Sequence, residues 1–150
     1  MTDSIRVKNL IDGEWVADEN EATLPLFNPS TGKQIGEVPV TSSATVEAAV
    51  KSSHAAYQSW RKLPITRRVS YLFALRSEMQ DRLEVLARSI AIDQAKHISE
   101  ARGEVQRVVE IVEMACNAPS LLQGETLDQI ANGINGRVTR QPLGVFCGVA

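Results

Sequence analysis

Gly144-Val145-Phe146-Cys147-Gly148-Val149-Ala150 is an apolar run with the composition of a strand entering a core. A buried strand satisfies its backbone donors and acceptors through neighbours on both edges. No further strand follows within the 150 residues. The run is therefore expected to be the first strand of a larger sheet, and the chain to be the front part of a bigger α/β protein.

Working outward from that run, Thr126 to Ile134, the Asn135-Gly136 pair and Arg137 to Gln141 predict a long polar hairpin, too hydrophilic to be buried in its own domain. Before it the period is helical. Ser99 is a candidate cap for a helix carrying Ala101, Val105, Val108, Val109, Val112, Ala115 and Cys116 inward, stopped at Ala118-Pro119. Leu83, Leu86, Ala87, Ile90 and Ala91 mark another helix, and Val69, Leu72, Phe73 and Met79 a third from about Thr66 to Gln80. A fourth starts near Ser43, with Val46, Ala49, Val50, Tyr57 and Trp60 on one stripe, and ends before Leu63-Pro64. Towards the amino terminus Asp12-Gly13 sits between two short apolar runs, a signal for a two-residue hairpin turn. Asn28-Pro29 and Thr31-Gly32 punctuate a second hairpin.

Composition excludes several functions. The formal charge is -2 with signs interspersed, whereas binding phosphates of nucleic acid or an anionic membrane needs clustered Lys and Arg. The opening Met1-Thr2-Asp3-Ser4 has no apolar leader after it, and no run of about eighteen apolar residues is present. A soluble cytoplasmic protein is expected, with no nucleic-acid or membrane partner. Two cysteines, Cys116 and Cys147, are too few for a disulfide framework.

The residues alone carry little chemistry. His54 and His97 have no ligand-spaced partner, so no metal site is expected. Neither Gly-x-Gly-x-x-Gly nor Gly-x-x-x-x-Gly-Lys occurs. Cys147 lies inside the apolar run with no cation or helix start to stabilise a thiolate, and reads as a small core residue, as does Cys116. Arg107 stands three residues after Glu104 and three before Glu110. That spacing alone describes an ion-pair ladder on a helix surface.

A resemblance adds to this. The ordered motifs Ile11-Asp12-Gly13-Glu14-Trp15, Asn28-Pro29-Ser30-Thr31-Gly32, Trp60, Gly103-Glu104-Val105-Gln106-Arg107 and Arg140-Gln141-Pro142-Leu143-Gly144-Val145 resemble the N-terminal segment of the NAD(P)-dependent aldehyde dehydrogenase superfamily. With Glu113-Met114-Ala115 and Ala118-Pro119-Ser120-Leu121, the chain is most similar to the CoA-acylating methylmalonate-semialdehyde branch. The resemblance implies the N-terminal portion of an aldehyde dehydrogenase fold: residues 1–124 as part of the NAD-binding domain, 125–142 as an oligomerisation hairpin, and 143–150 as the first strand of the Rossmann-like core. It implies a parent using NAD and CoA, with a nucleophilic cysteine beyond this segment, so none of the catalytic residues is expected here and no cofactor is expected to bind the segment tightly. Arg107 matches a substrate-carboxylate arginine, and its planar guanidinium suits that task. Ala150 matches a residue whose backbone borders NAD. A homo-oligomer, and valine or myo-inositol breakdown, are also implied. A non-acylating branch of the superfamily and a non-catalytic assembly module are the alternatives.

Overall fold

The computed structural model describes residues 5–18 and 22–149. Five strands lead: β1 (Ile5–Arg6), β2 (Asn9–Ile11), β3 (Glu14–Val16), β4 (Thr23–Asn28) and β5 (Lys33–Pro39). Five helices follow: α1 (Ser43–Trp60), α2 (Ile65–Asp81), α3 (Leu83–Gln94), α4 (Ile98–Cys116) and the short α5 (Ala118–Leu121). The hairpin β6 (Glu125–Ala131) and β7 (Ile134–Val138) completes the mixed α/β order.

Turn chemistry places the first strands. Ile11 pairs with Glu14, leaving Asp12 and Gly13 at φ 53 and 80, the positive values that a two-residue turn matched to strand twist demands. The Asn28 side chain accepts the Ser30 amide at 2.9 Å, closing the turn between β4 and β5. β1 then adds parallel to β5, giving a three-stranded sheet in the order β1-β5-β4. The buried Asp18 carboxylate accepts from the Ser42 amide at 3.0 Å. The Ser42 hydroxyl in turn accepts from the Thr45 amide, so the cap of α1 is Ser42 and not Ser43.

The core lies where α3 crosses α4. Ala87 and Ala101 are fully buried there with Val105, and Leu83, Leu86, Ile90, Ala91 and Ile98 pack around them. Alanines at the crossing let the two backbones approach, since interaxial distance follows side-chain size. Val69 of α2 and Val109 of α4 extend this interior.

Four expectations need correction. First, α1 buries none of its residues; Val46 and Val50, expected inward, remain 52 % and 54 % exposed, because no described element covers their stripe. Phe73 on α2 is likewise exposed, as are Val108 and Ala115 on α4. Second, residues 143–149 pair with no described strand, and Leu143, Phe146 and Val149 are largely exposed. Cys147, expected in a core, is exposed for the same reason, whereas Cys116 is buried. Third, the cap of α4 is His97: its ring nitrogen accepts from the Ser99 amide.

The fourth correction concerns the second Asn-Gly. The hairpin turns at Asn132-Gly133, with Gly133 at φ 75, and Asn135-Gly136 lies within β7. Leu127 pairs with Gly136 and Ala131 with Ile134, so Asp128 to Ile130 face the single Asn135. This bulge puts Gln129 at φ 55, and the Asn135 side chain accepts its otherwise unpaired amide at 2.9 Å. Because the bulge resets the alternation, Leu127 and Ile130 come to the Gly136 side of the ribbon, both packing towards its bare Cα. Ile134 and Val138 share that face by strand alternation. The hairpin expected to be polar therefore has one aliphatic face, and all four side chains are about half exposed.

Candidate functional site

Helix α4 carries the one position that the resemblance links to substrate, and its surroundings fix how that position points. The stripe Ala101, Val105, Val109 and Cys116 is buried, which seats one side of the helix. Ion pairs then hold both flanks. Arg102 donates from Nε to Glu84 of α3 at 2.6 Å and from Nη2 to its second oxygen at 3.0 Å, a bidentate pair. Glu113 accepts from Nε and Nη2 of Arg76 on α2, both at 2.7 Å. Glu104 is paired with Lys96 in the turn before the helix. The Arg102 guanidinium donating to Glu84 holds that carboxyl below the usual carboxylate range. The same pair pushes the arginine up.

Arg107 is two residues from both Val105 and Val109, hence about 200° around the axis from each. It is exposed and has no ion-pair partner among the described residues. The ladder expected from its spacing does not form: Glu104 turns to Lys96, and Glu110 makes no ion pair among the described residues. Ile111 and Met114 stand one and two turns further along the same side, 57 % and 72 % exposed. The face thus offers one unpaired guanidinium bordered by apolar side chains, and a guanidinium free of ion pairs is chemically suited to an anion.

The other sequence candidates do not join it. Ala150 lies outside the described residues. Cys147 lines a groove with Asn9, Leu10, Val46, Val50 and Phe146, and no charged or basic side chain borders that groove. His54 bonds Gln58 and His97 caps α4. Among the described residues no group of three or more His, Cys, Asp or Glu side chains could hold a metal. The lining of the apolar groove includes no cationic side chain and no glycine. One link escaped sequence reading: the Tyr57 hydroxyl donates to the Pro142 carbonyl at 2.9 Å, tying α1 to the exit of the hairpin. Its 85-residue separation leaves no local signal.

Residues 15–150 match the model of the aldehyde dehydrogenase family. The chain belongs to this family. Among its curated relatives it is 42 % identical over 143 residues to malonate-semialdehyde dehydrogenase 2 of Shouchella clausii, covering 95 % of this chain and 29 % of that one. It is 40 % identical over 148 residues to malonate-semialdehyde dehydrogenase of Bacillus pumilus, covering 99 % and 30 %. The fold superimposes with a TM-score of 0.90 on a protein from Sinorhizobium meliloti assigned as methylmalonate-semialdehyde dehydrogenase and solved with NAD, at 29 % identity and covering 96 % and 29 %. The methylmalonate-semialdehyde dehydrogenase of Oceanimonas doudoroffii superimposes at 0.84 with 33 % identity, covering 89 % and 27 %. The chain of this aldehyde dehydrogenase family member spans about 30 % of the length of the curated relatives it matches.

Proposed function

We propose that this chain is the N-terminal segment of an NAD-dependent, CoA-acylating malonate- or methylmalonate-semialdehyde dehydrogenase, and that Arg107 binds the substrate carboxylate. The observation that carries the reading is the unpaired Arg107 on the open face of α4, where Glu104, which could have paired with it, is held by Lys96. The names of the relatives support the substrate class. In this reading semialdehyde, CoA and NAD become acyl-CoA and NADH, with the nucleophilic cysteine and both cofactor sites outside the described residues. The 150-residue chain by itself is inactive. The β6–β7 ribbon serves as the arm of a homo-oligomer, supported by its two strands forming a sheet of their own. Cytoplasmic residence goes with the reading; no helix among the described residues is long and apolar enough to cross a membrane.

The test is Arg107→Leu in the enzyme that contains this segment. Losing one partner of a buried charged hydrogen-bonded pair costs roughly 2–5 kcal/mol, against a few tenths for a surface pair. The expected result is a fall of more than about tenfold in kcat/KM for methylmalonate semialdehyde, with propionaldehyde little affected. An equal loss for both aldehydes, or none, would show that Arg107 has no part in choosing the substrate. For the isolated chain, NADH formation with malonate semialdehyde and CoA should be absent. Turnover abolished by Cys147→Ser would overturn this and make that thiol a nucleophile.

A further inference from the structure

We propose that Lys96 is a positioning residue for substrate: by holding the Glu104 carboxylate it keeps Arg107 free to take the carboxylate of an acid semialdehyde. The inference rests on the substrate reading of Arg107 and deepens it from one residue to a set of three.

The helix itself sets up a competition for Arg107. Glu104 and Arg107 stand three residues apart on α4, within reach of each other's side chains. The acid precedes the base, which is the order that the helix dipole favours. Glu110 follows Arg107 in the reverse and weaker order, and it makes no ion pair among the described residues. Of the two acids flanking the guanidinium, Glu104 is therefore the stronger rival to a substrate.

Lys96 removes that rival, and the local backbone puts it in place to do so. Ala95 closes α3 in the left-handed region at φ 55, which turns the chain sharply after the last helical turn. His97 then caps α4 by accepting the Ser99 amide. Lys96 is the single residue between these two fixed points, and its ammonium donates to the Glu104 carboxylate eight positions on. The two side chains are 30 % and 42 % exposed, against 74 % and 66 % for the Lys51–Glu47 pair on α1. Water screens the Lys96–Glu104 pair correspondingly less.

Breaking this contact has a defined consequence for Arg107. An uncommitted Glu104 is a tethered carboxylate, whose effective concentration a dissolved substrate has to outcompete. It also offsets the positive charge that Arg107 presents to an anion. Both effects oppose acid substrates, and neither touches an aldehyde that lacks a carboxylate. A tethered competitor of this kind raises KM and leaves kcat unchanged.

The experiment is steady-state kinetics of the enzyme that contains this segment, with malonate semialdehyde and propionaldehyde as paired substrates. Lys96→Met should raise KM for the semialdehyde about threefold, somewhat beyond the effect of a fully exposed helix pair, with kcat and both propionaldehyde constants unchanged. Adding Glu104→Gln should return KM to the unsubstituted value, a rescue that a purely structural loss at Lys96 does not allow. Lys96→Arg, which keeps the charge, should behave as the unsubstituted enzyme does. Circular dichroism checks that the helices persist; should Lys96→Met lose them, Lys96→Gln gives the same reading. No rise in KM, an equal rise for propionaldehyde, or a double variant that stays impaired would each overturn the proposal. Arg107→Leu measured in parallel separates the two readings. If it discriminates between the substrates while Lys96→Met does not, the role of Lys96 fails and the substrate reading stands; if Arg107→Leu is itself indifferent to the carboxylate, the substrate reading fails and takes this one with it.

Discussion

Gly124 is a residue whose identity the backbone dictates: a Cβ there would lie 2.1 Å from the Val138 carbonyl oxygen. Gly124→Ala is expected to force the base of the hairpin apart at a cost of about 1–3 kcal/mol, seen as faster proteolysis within 125–138 while the helical signal is retained. His97 makes the opposite case, a position defined by one hydrogen bond. Replacing it with Ala should cost about 1 kcal/mol in chemical denaturation, and with Asn close to nothing, because Asn can also accept the helix amide. The sequence pointed to Ser99 because serine is the commoner cap. It could not reveal that Ala95, at φ 55, ends α3 early enough for α4 to begin ahead of Ser99. Arg107 was legible as an arginine on a helix, but its freedom from Glu104 depends on Lys96, which reaches that carboxylate from outside the helix. Glu84 supplies a pH dependence whose direction is fixed. Its folded-state carboxyl is held down by the Arg102 hydrogen bonds, so the stability it adds is present above the ordinary carboxylate range and lost as pH falls through the lowered value. Glu84→Gln should flatten that part of the stability-against-pH curve, and the exposure of both side chains keeps the effect small.

At the scale of elements, helices were easier to read than the last hairpin. The α3 stripe emerged from periodicity because five apolar residues at helical spacing have one way to share a face. Two Asn-Gly pairs three residues apart are locally equivalent, and only the pairing of whole strands chooses between them. Turning at the first pair, with a bulge at Gln129, collects Leu127, Ile130, Ile134 and Val138 on one side. A two-residue turn at the second pair would use neither device. Gly133→Val should cost more than Gly136→Ala in hairpin stability, by about 1–2 kcal/mol. The first puts a branched side chain at φ 75. The second meets the movable end of Ile130, 3.2 Å from the added Cβ, and Leu127 at an ordinary contact distance of 3.8 Å. Amide exchange across β6 and β7 would check the order.

For the whole molecule, the apolar stripes predicted from periodicity are present, but those of α2, α3 and α4 find each other while that of α1 stays open. The stripe of α1 and the run at 143–149 were legible as core-forming without any indication of what covers them, since the pattern states a preference and the partner supplies the burial. The isolated chain should therefore respond unevenly to substitution. Val109→Ala, at a site 1 % exposed, is expected to cost roughly 2 kcal/mol. Val50→Lys, at a half-exposed site, should stay within about 0.5 kcal/mol in the same denaturation experiment. A reversal of these two values would mean that α1 packs against something in solution.

The two ion pairs at Arg102 and Glu113 act on α4 as keys act on a shaft. They engage neighbours on α3 and α2 at points about three turns apart, so the angular position of the helix is indexed near both ends. Arg107 inherits its bearing from that indexing and contributes nothing to it. The guanidinium can be exchanged for another side chain without turning the helix, whereas one residue inserted between the keys would rotate one end by about 100° against the other. Direction and chemistry at this position are thus separately adjustable.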